Sequence, residues 1–88
     1  MTAMGARLPV LSAPQLIKLL ARAGFIPVAQ RGSHIKIEGV RAGQRRFTTL
    51  PMHGSEDLPA GIIKAVLADL GISREELLQW IGSRRGKH

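Results

Sequence analysis

His34 is the candidate in this chain for moving a proton, and cations flank it: Arg31 on one side and Lys36 on the other. An imidazole titrates near pH ~6.5, so it can give or take a proton near neutrality. Guanidinium and ammonium groups beside it would stabilise negative charge building on a reacting anion. Gly32-Ser33, between Arg31 and His34, is a Gly-x pair suited to a two-residue I′ or II′ hairpin turn. With that loop, Arg31 faces His34, Gln30 faces Ile35, Ala29 faces Lys36 and Val28 faces Ile37. Opposed residues share a face and side chains alternate along each strand. One face then carries Ile26, Val28, Gln30, Ile35 and Ile37. The other carries Pro27, Ala29, Arg31, His34, Lys36 and Glu38. A one-residue slip would mix the two sets. The apolar set is expected to meet the core, and His34 to face outward. Two readings stay open at this point: acid–base chemistry on an anion, or an exposed hairpin histidine with no task.

The other histidines carry less. His53 stands in a loop where it could cap or line a helix N-terminus, or meet an anion there. His88 is terminal. His34 and His53 lack the further donors that a metal site needs, and the chain has no cysteine. Neither a metal nor another cofactor is expected.

The elements that must position His34 follow from periodicity and punctuation. Residues 1–11 read as an arm that packs through Leu8, Val10 and Leu11. Ser12 is an N-cap and Pro14 suits an early helical position. Leu16, Leu19, Leu20 and Ala23 make a helical stripe, and Gly24 is the expected closing residue, so the first helix spans about 13–23. Strands are expected at 25–31, 34–38 and 45–50, with Gly39, Arg41, Ala42 and Gly43 in the second connection. Phe47 and Leu50 differ in parity, which leaves the inward face of the third strand unassigned. Pro59 opens a helix as its first residue, with Ile62, Ile63, Val66, Leu67 and Leu70 buried, and Gly71 stops it. Ser73-Arg74-Glu75-Glu76 is a capping box, with Ile72 and Leu77 as its hydrophobic staple, for a helix over about 74–82. The order is α-β-β-β-α-α, an α+β fold. Its three-stranded antiparallel sheet has helices on one face and is open on the other.

Composition bounds the function. Eighty-eight residues make one small domain with a modest core and no room for a large internal cavity. The single domain is expected over 1–83, with 84–88 a basic, disordered tail. The absence of cysteine fits a reducing cytoplasm, and no stretch approaches the ~20 apolar residues of a membrane span. The net charge is +7. Residues 1–55 hold eight Lys/Arg against one acid, Glu38. That asymmetry suits a polyanion on the sheet side. Arg31, Ser33, Lys36, Arg41, Arg45 and Arg46 are the candidate nucleic-acid contacts; taken singly, each of the cations could be no more than part of a solvated basic face. With two Phe, one Trp and no Tyr, a base-stacking platform is not expected.

Several segments, taken in order, resemble a known family: Leu8-Pro9-Val10-Leu11-Ser12, Leu16-Ile17-Lys18, Ala23-Gly24-Phe25, Gln30-Arg31-Gly32-Ser33-His34, Leu50-Pro51-Met52-His53-Gly54, Leu58-Pro59, and Leu70-Gly71-Ile72-Ser73. Over about 8–81 the chain is similar to the HicA (YcfA-like) toxins of bacterial and archaeal toxin–antitoxin modules. The resemblance implies a fold like the double-stranded-RNA-binding domain and a metal-independent endoribonuclease, an mRNA interferase. It implies that the histidine of the Gly-Ser-His segment, here His34, is catalytic. It also implies a hetero-oligomer with a HicB-type antitoxin that covers the His34 face. Family members commonly carry a second histidine directly after the first; Ile35 stands there, so no role passes to that position. The competing readings are a non-catalytic RNA-binding module of the same fold, and a basic face that serves an acidic protein partner alone.

Overall fold

In the computed structural model, residues 10–52 and 54–86 are described, with side chains through Gly82. Leu8, His53 and His88 lie outside the described residues. The elements are α1 (Ala13–Ala21), β1 (Ile26–Arg31), β2 (His34–Arg41), β3 (Gln44–Pro51), α2 (Ala60–Leu70) and α3 (Arg74–Gly86). The strands form one antiparallel sheet in the order β1-β2-β3. This is the expected α-β-β-β-α order followed by a further helix.

Helix ends follow the local chemistry. The Ser12 hydroxyl accepts from the Gln15 amide while the Gln15 side chain accepts from the Ser12 amide, a reciprocal cap. At the other end, the Gly24 and Phe25 amides donate to the Ala21 and Leu20 carbonyls, with Gly24 at φ +92°. Gly71, at φ +73°, closes α2 in the same way through the Ile72 amide and the Leu67 carbonyl. Pro59 is the residue before α2 rather than its first residue. The capping box at Ser73 and Glu76 forms. Helix α3 continues to Gly86, beyond the expected end and into the segment expected to be a disordered tail. Nothing between Ile81 and Arg85 except Gly82 opposes a helix.

The core lies between the helices and one sheet face. Leu16, Leu19, Leu20, Phe25, Ile37, Leu50, Ile63, Leu70 and Leu77 are fully buried in it. Leu11 joins the core while Val10 is exposed. Thr48 is buried too, and its hydroxyl donates to the Asp69 carboxylate of α2 at 2.8 Å, tying sheet to helix. Among the described residues no helix is long and apolar enough to cross a membrane.

Both hairpins turn on two residues. Gly32 is at φ +61° and Ser33 is not in the left-handed region, the II′ pattern with glycine first. In the second turn Ala42 at φ +53° and Gly43 at φ +78° give the I′ pattern. An alanine in that conformation costs about 1 kcal/mol relative to glycine or asparagine. Ala42→Asn is therefore expected to raise stability by about 0.5–1 kcal/mol, read as an increase in melting temperature.

Three sequence expectations change. The second strand runs through Gly39, Val40 and Arg41, so only Ala42 and Gly43 form the connection. Gly39 belongs in the strand because the Gly24–Phe25 backbone lies against it. The β1–β2 register follows the expected pairing from Arg31 and His34 to Ala29 and Lys36, then shifts: Pro27 pairs with Ile37 and Ile26 with Glu38. Val28 is the extra residue of a bulge. The expected facing of Val28 with Ile37 is thus corrected, and so is the inward placement of Ile26 and Val28. All six residues of β1 are exposed. The core is closed by Ile35, Ile37, Thr48 and Leu50 of the inner and third strands, which leaves β1 an outer strand.

Candidate functional site

The open sheet face is a grid set by strand pairing. One row is Arg31, His34 and Pro51; the next is Ala29, Lys36 and Thr49; then come Ile26, Glu38 and Phe47; Val40 and Arg45 make the last. Rows lie about 7 Å apart, two residues of strand rise. Ala29, Gln30, Arg31, His34, Lys36 and Thr49 line an open depression of about 480 Å³. Arg31 and His34 are exposed and Lys36 is half-buried.

Local structure positions each of these side chains. The II′ turn sets Arg31 against His34 across the hairpin. The Met52 amide donates to the Ser33 carbonyl at 2.6 Å, which ties the turn to the segment after β3. Ser33 stands exposed in the turn, next to His34. Ile35 and Ile37 are buried on the opposite face, so they hold β2 with His34 and Lys36 outward. The Lys36 ammonium sits 4.6 Å from the centroid of the Phe47 ring.

The other predicted cations divide by strand parity. Arg45 is on the open face, opposite Val40, and its guanidinium is 3.3 Å from the Glu38 carboxylate. Arg41 and Arg46 lie on the helical side. Arg41 donates to the Gly71 carbonyl at 3.0 Å and forms an ion pair with Glu76. Arg46 packs its guanidinium against Gly71 and donates to Gln44. Its Nε is buried without a hydrogen-bond partner among the described residues. The Ser73 backbone N–H, then the Arg41 guanidinium, hold the Glu76 carboxyl below its ordinary pKa. The expected opposition by Glu38 alone is thus incomplete, since Glu76 engages Arg41.

Thr49 lines the depression and was not among the sequence candidates. The signal that finds it is the Ala42-Gly43 turn, which pairs Arg41 with Gln44 and, counting back, Lys36 with Thr49. Phe47 was also missed as a surface residue; the same count puts it beside Glu38 on the open face. Among the described residues no three His, Asp or Glu side chains come together in a way that could hold a metal ion.

The geometry thus joins an exposed imidazole, two cations and a shallow open groove on the open face of the sheet. Residues 13–72, from the start of α1 through the end of α2, match the family model for the HicA toxin of bacterial toxin–antitoxin. The chain belongs to the HicA toxin family. It is thereby a toxin of a toxin–antitoxin system, and an antitoxin is its partner class. The matched span contains the whole sheet, and so His34, but not α3 of this HicA-family chain. Comparison with curated proteins and with solved structures returns no match.

Proposed function

We propose that this HicA-family toxin is a metal-independent endoribonuclease, an mRNA interferase, with His34 as its acid–base group. The observation that carries the reading is the row of Arg31 and His34 beside Lys36, in an open groove on a sheet face that no helix among the described residues covers. RNA brings its own nucleophile. The 2′-oxygen attacks the adjacent phosphorus as its proton leaves; the bond from phosphorus to the 5′-oxygen breaks, and that oxygen takes a proton. The products are a 2′,3′-cyclic phosphate and a 5′-hydroxyl. His34 serves one of these proton transfers. Arg31 and Lys36 stabilise the charge that builds on the phosphoryl oxygens. Arg45 and the Ser33 hydroxyl extend the contact to neighbouring backbone. Arg41 and Arg46 hold the sheet to the α2–α3 corner instead and stay off the RNA path.

A groove this open suits a flexible single strand, not an enclosed small molecule. A site with a single histidine should be slow beside nucleases that use paired groups. A HicB-type antitoxin covers this face and closes the groove, and the substrate and partner put the reaction in the cytoplasm. The test is cleavage of a defined mRNA by the purified chain in excess EDTA. Cleavage is expected to persist and to leave cyclic-phosphate and 5′-hydroxyl ends. Loss of activity in the chelator, or 3′-hydroxyl ends, would overturn the internal-nucleophile mechanism. Retention of RNA without any cleavage would favour the non-catalytic RNA-binding module.

A further inference from the structure

The geometry points to the apolar end of the open sheet face as the anchor for the antitoxin, set apart from the His34 end. This rests on the chain being one half of a toxin–antitoxin pair, and not on His34 being catalytic.

Among the described residues, five large apolar side chains are exposed, and four gather here: Ile26 at 54%, Val28 at 49%, Val40 at 60% and Phe47 at 56%. Ile26, Val28 and Val40 line one shallow depression of about 450 Å³ together with Glu38 and Arg45, whose side chains form an ion pair there. Phe47 lies on the same face, paired with Glu38. The bulge brings Val28 to this patch; in unbroken register it would face Ile37 and the core. Scattered exposed apolar residues need no explanation, but several gathered on one face mark an interaction site.

The chemistry of the patch selects a protein over RNA. Three of its four side chains are aliphatic, with no donor for a phosphate and no ring on which a base could stack. Glu38 stands between Ile26 and Phe47, so a carboxylate that repels phosphate lies among them, and apolar side chains mixed with an ion pair suit a protein surface. Toward the other end of the same face stand Arg31 and Lys36, which no acid opposes among the described residues. The occupant that fits both ends is a protein with an apolar centre and carboxylates to one side. A toxin of this class needs an antitoxin, and that supplies the occupant. His34 lies about 14 Å along β2 from Glu38, four residues of rise. That is inside the footprint of an ordinary interface of about 800 Å² per partner. A protein anchored on the valines therefore reaches the groove, and anchoring and blocking are done by different residues.

The test uses the full chain carrying Val28→Gln and Val40→Gln, titrated with a purified HicB-type antitoxin that binds the wild-type chain. His34→Ala is included in both arms, so binding is read independently of catalysis. The antitoxin affinity is expected to fall about 100-fold. The same two substitutions with His34 retained are expected to leave RNA cleavage unchanged. Both sites are exposed, and circular dichroism checks the fold. If the double variant is misfolded, Val40→Thr keeps the β-branched shape and is expected to cost about 10-fold in affinity. Unchanged affinity would overturn the anchor. So would a fall in RNA cleavage, which would give the patch to RNA. A wild-type dimer that becomes monomeric in the double variant would give it to a second copy of the chain and also overturn the proposal. Cleavage that survives His34→Ala would defeat the catalytic reading and leave the anchor standing.

Discussion

His34→Ala is expected to lower the rate of RNA cleavage by about 10²–10⁴-fold, the usual contribution of a positioned acid–base group, while RNA retention changes little. The split follows from where His34 stands. Its ring is exposed on the open face, and the chain's apolar anchors, Ile35 and Ile37, are on the other side of β2. Removing it takes nothing from the core, so stability should move by no more than about 0.5 kcal/mol. Arg31, Lys36 and Arg45 remain to hold phosphate, so affinity and its salt dependence should persist. The measurement is a pair of assays on one defined mRNA: a cleavage time course and a binding titration, for wild type and variant. Equal cleavage by both proteins would remove His34 from the mechanism. Loss of both cleavage and binding would make it a contact residue instead.

Gly39→Ala is expected to destabilise the fold by about 3 kcal/mol and to lower the melting temperature by more than about 10 °C. A methyl group at Gly39 would meet the Gly24 carbonyl oxygen at 2.5 Å, the Phe25 Cδ1 at 2.6 Å and the Phe25 Cα at 3.0 Å. Two of these atoms are backbone, and neither can give easily. Gly24 closes α1 in a left-handed conformation, and Phe25 is fully buried. The clash therefore pushes the α1–β1 junction against β2 and loosens both. Gly61 is the control. It is in the first turn of α2 with nothing within 4 Å of an added methyl, so Gly61→Ala should be neutral or stabilising by up to about 1 kcal/mol. If Gly39→Ala melts with the wild type, the close approach of the α1–β1 junction to β2 is wrong.

Much of the path to the candidate site is legible in local chemistry. The Gly32-Ser33 pair specifies a tight turn, and the turn pairs Arg31 with His34. Ser12, Gly24, Gly71 and the Ser73 box mark where helices begin and end, because each satisfies backbone groups within a few residues of itself. The alternation of Ile35 and Ile37 with His34 and Lys36 tells which side of β2 faces out. These signals act over short distances, so reading the residues in order recovers them.

Other features depend on what lies far away in the chain. Gly39 reads as a strand breaker until the Gly24–Phe25 backbone is found beside it. Arg41 and Arg46 count as basic surface until the C-terminal end of α2 and Glu76 come within reach. Ile26 and Val28 read as core residues, because an apolar pair at strand spacing usually is one. The bulge and the outer position of β1 turn them to the surface, next to Val40 and across Glu38 from Phe47. By itself the sequence determined the order of elements, the helix caps at Ser12, Gly24, Gly71 and Ser73, and an outward His34 paired with Arg31. Only the tertiary structure decided which cations share that face and that an apolar patch lies along it. Turn and capping energies are local, whereas facing and exposure depend on which distant elements cover a strand.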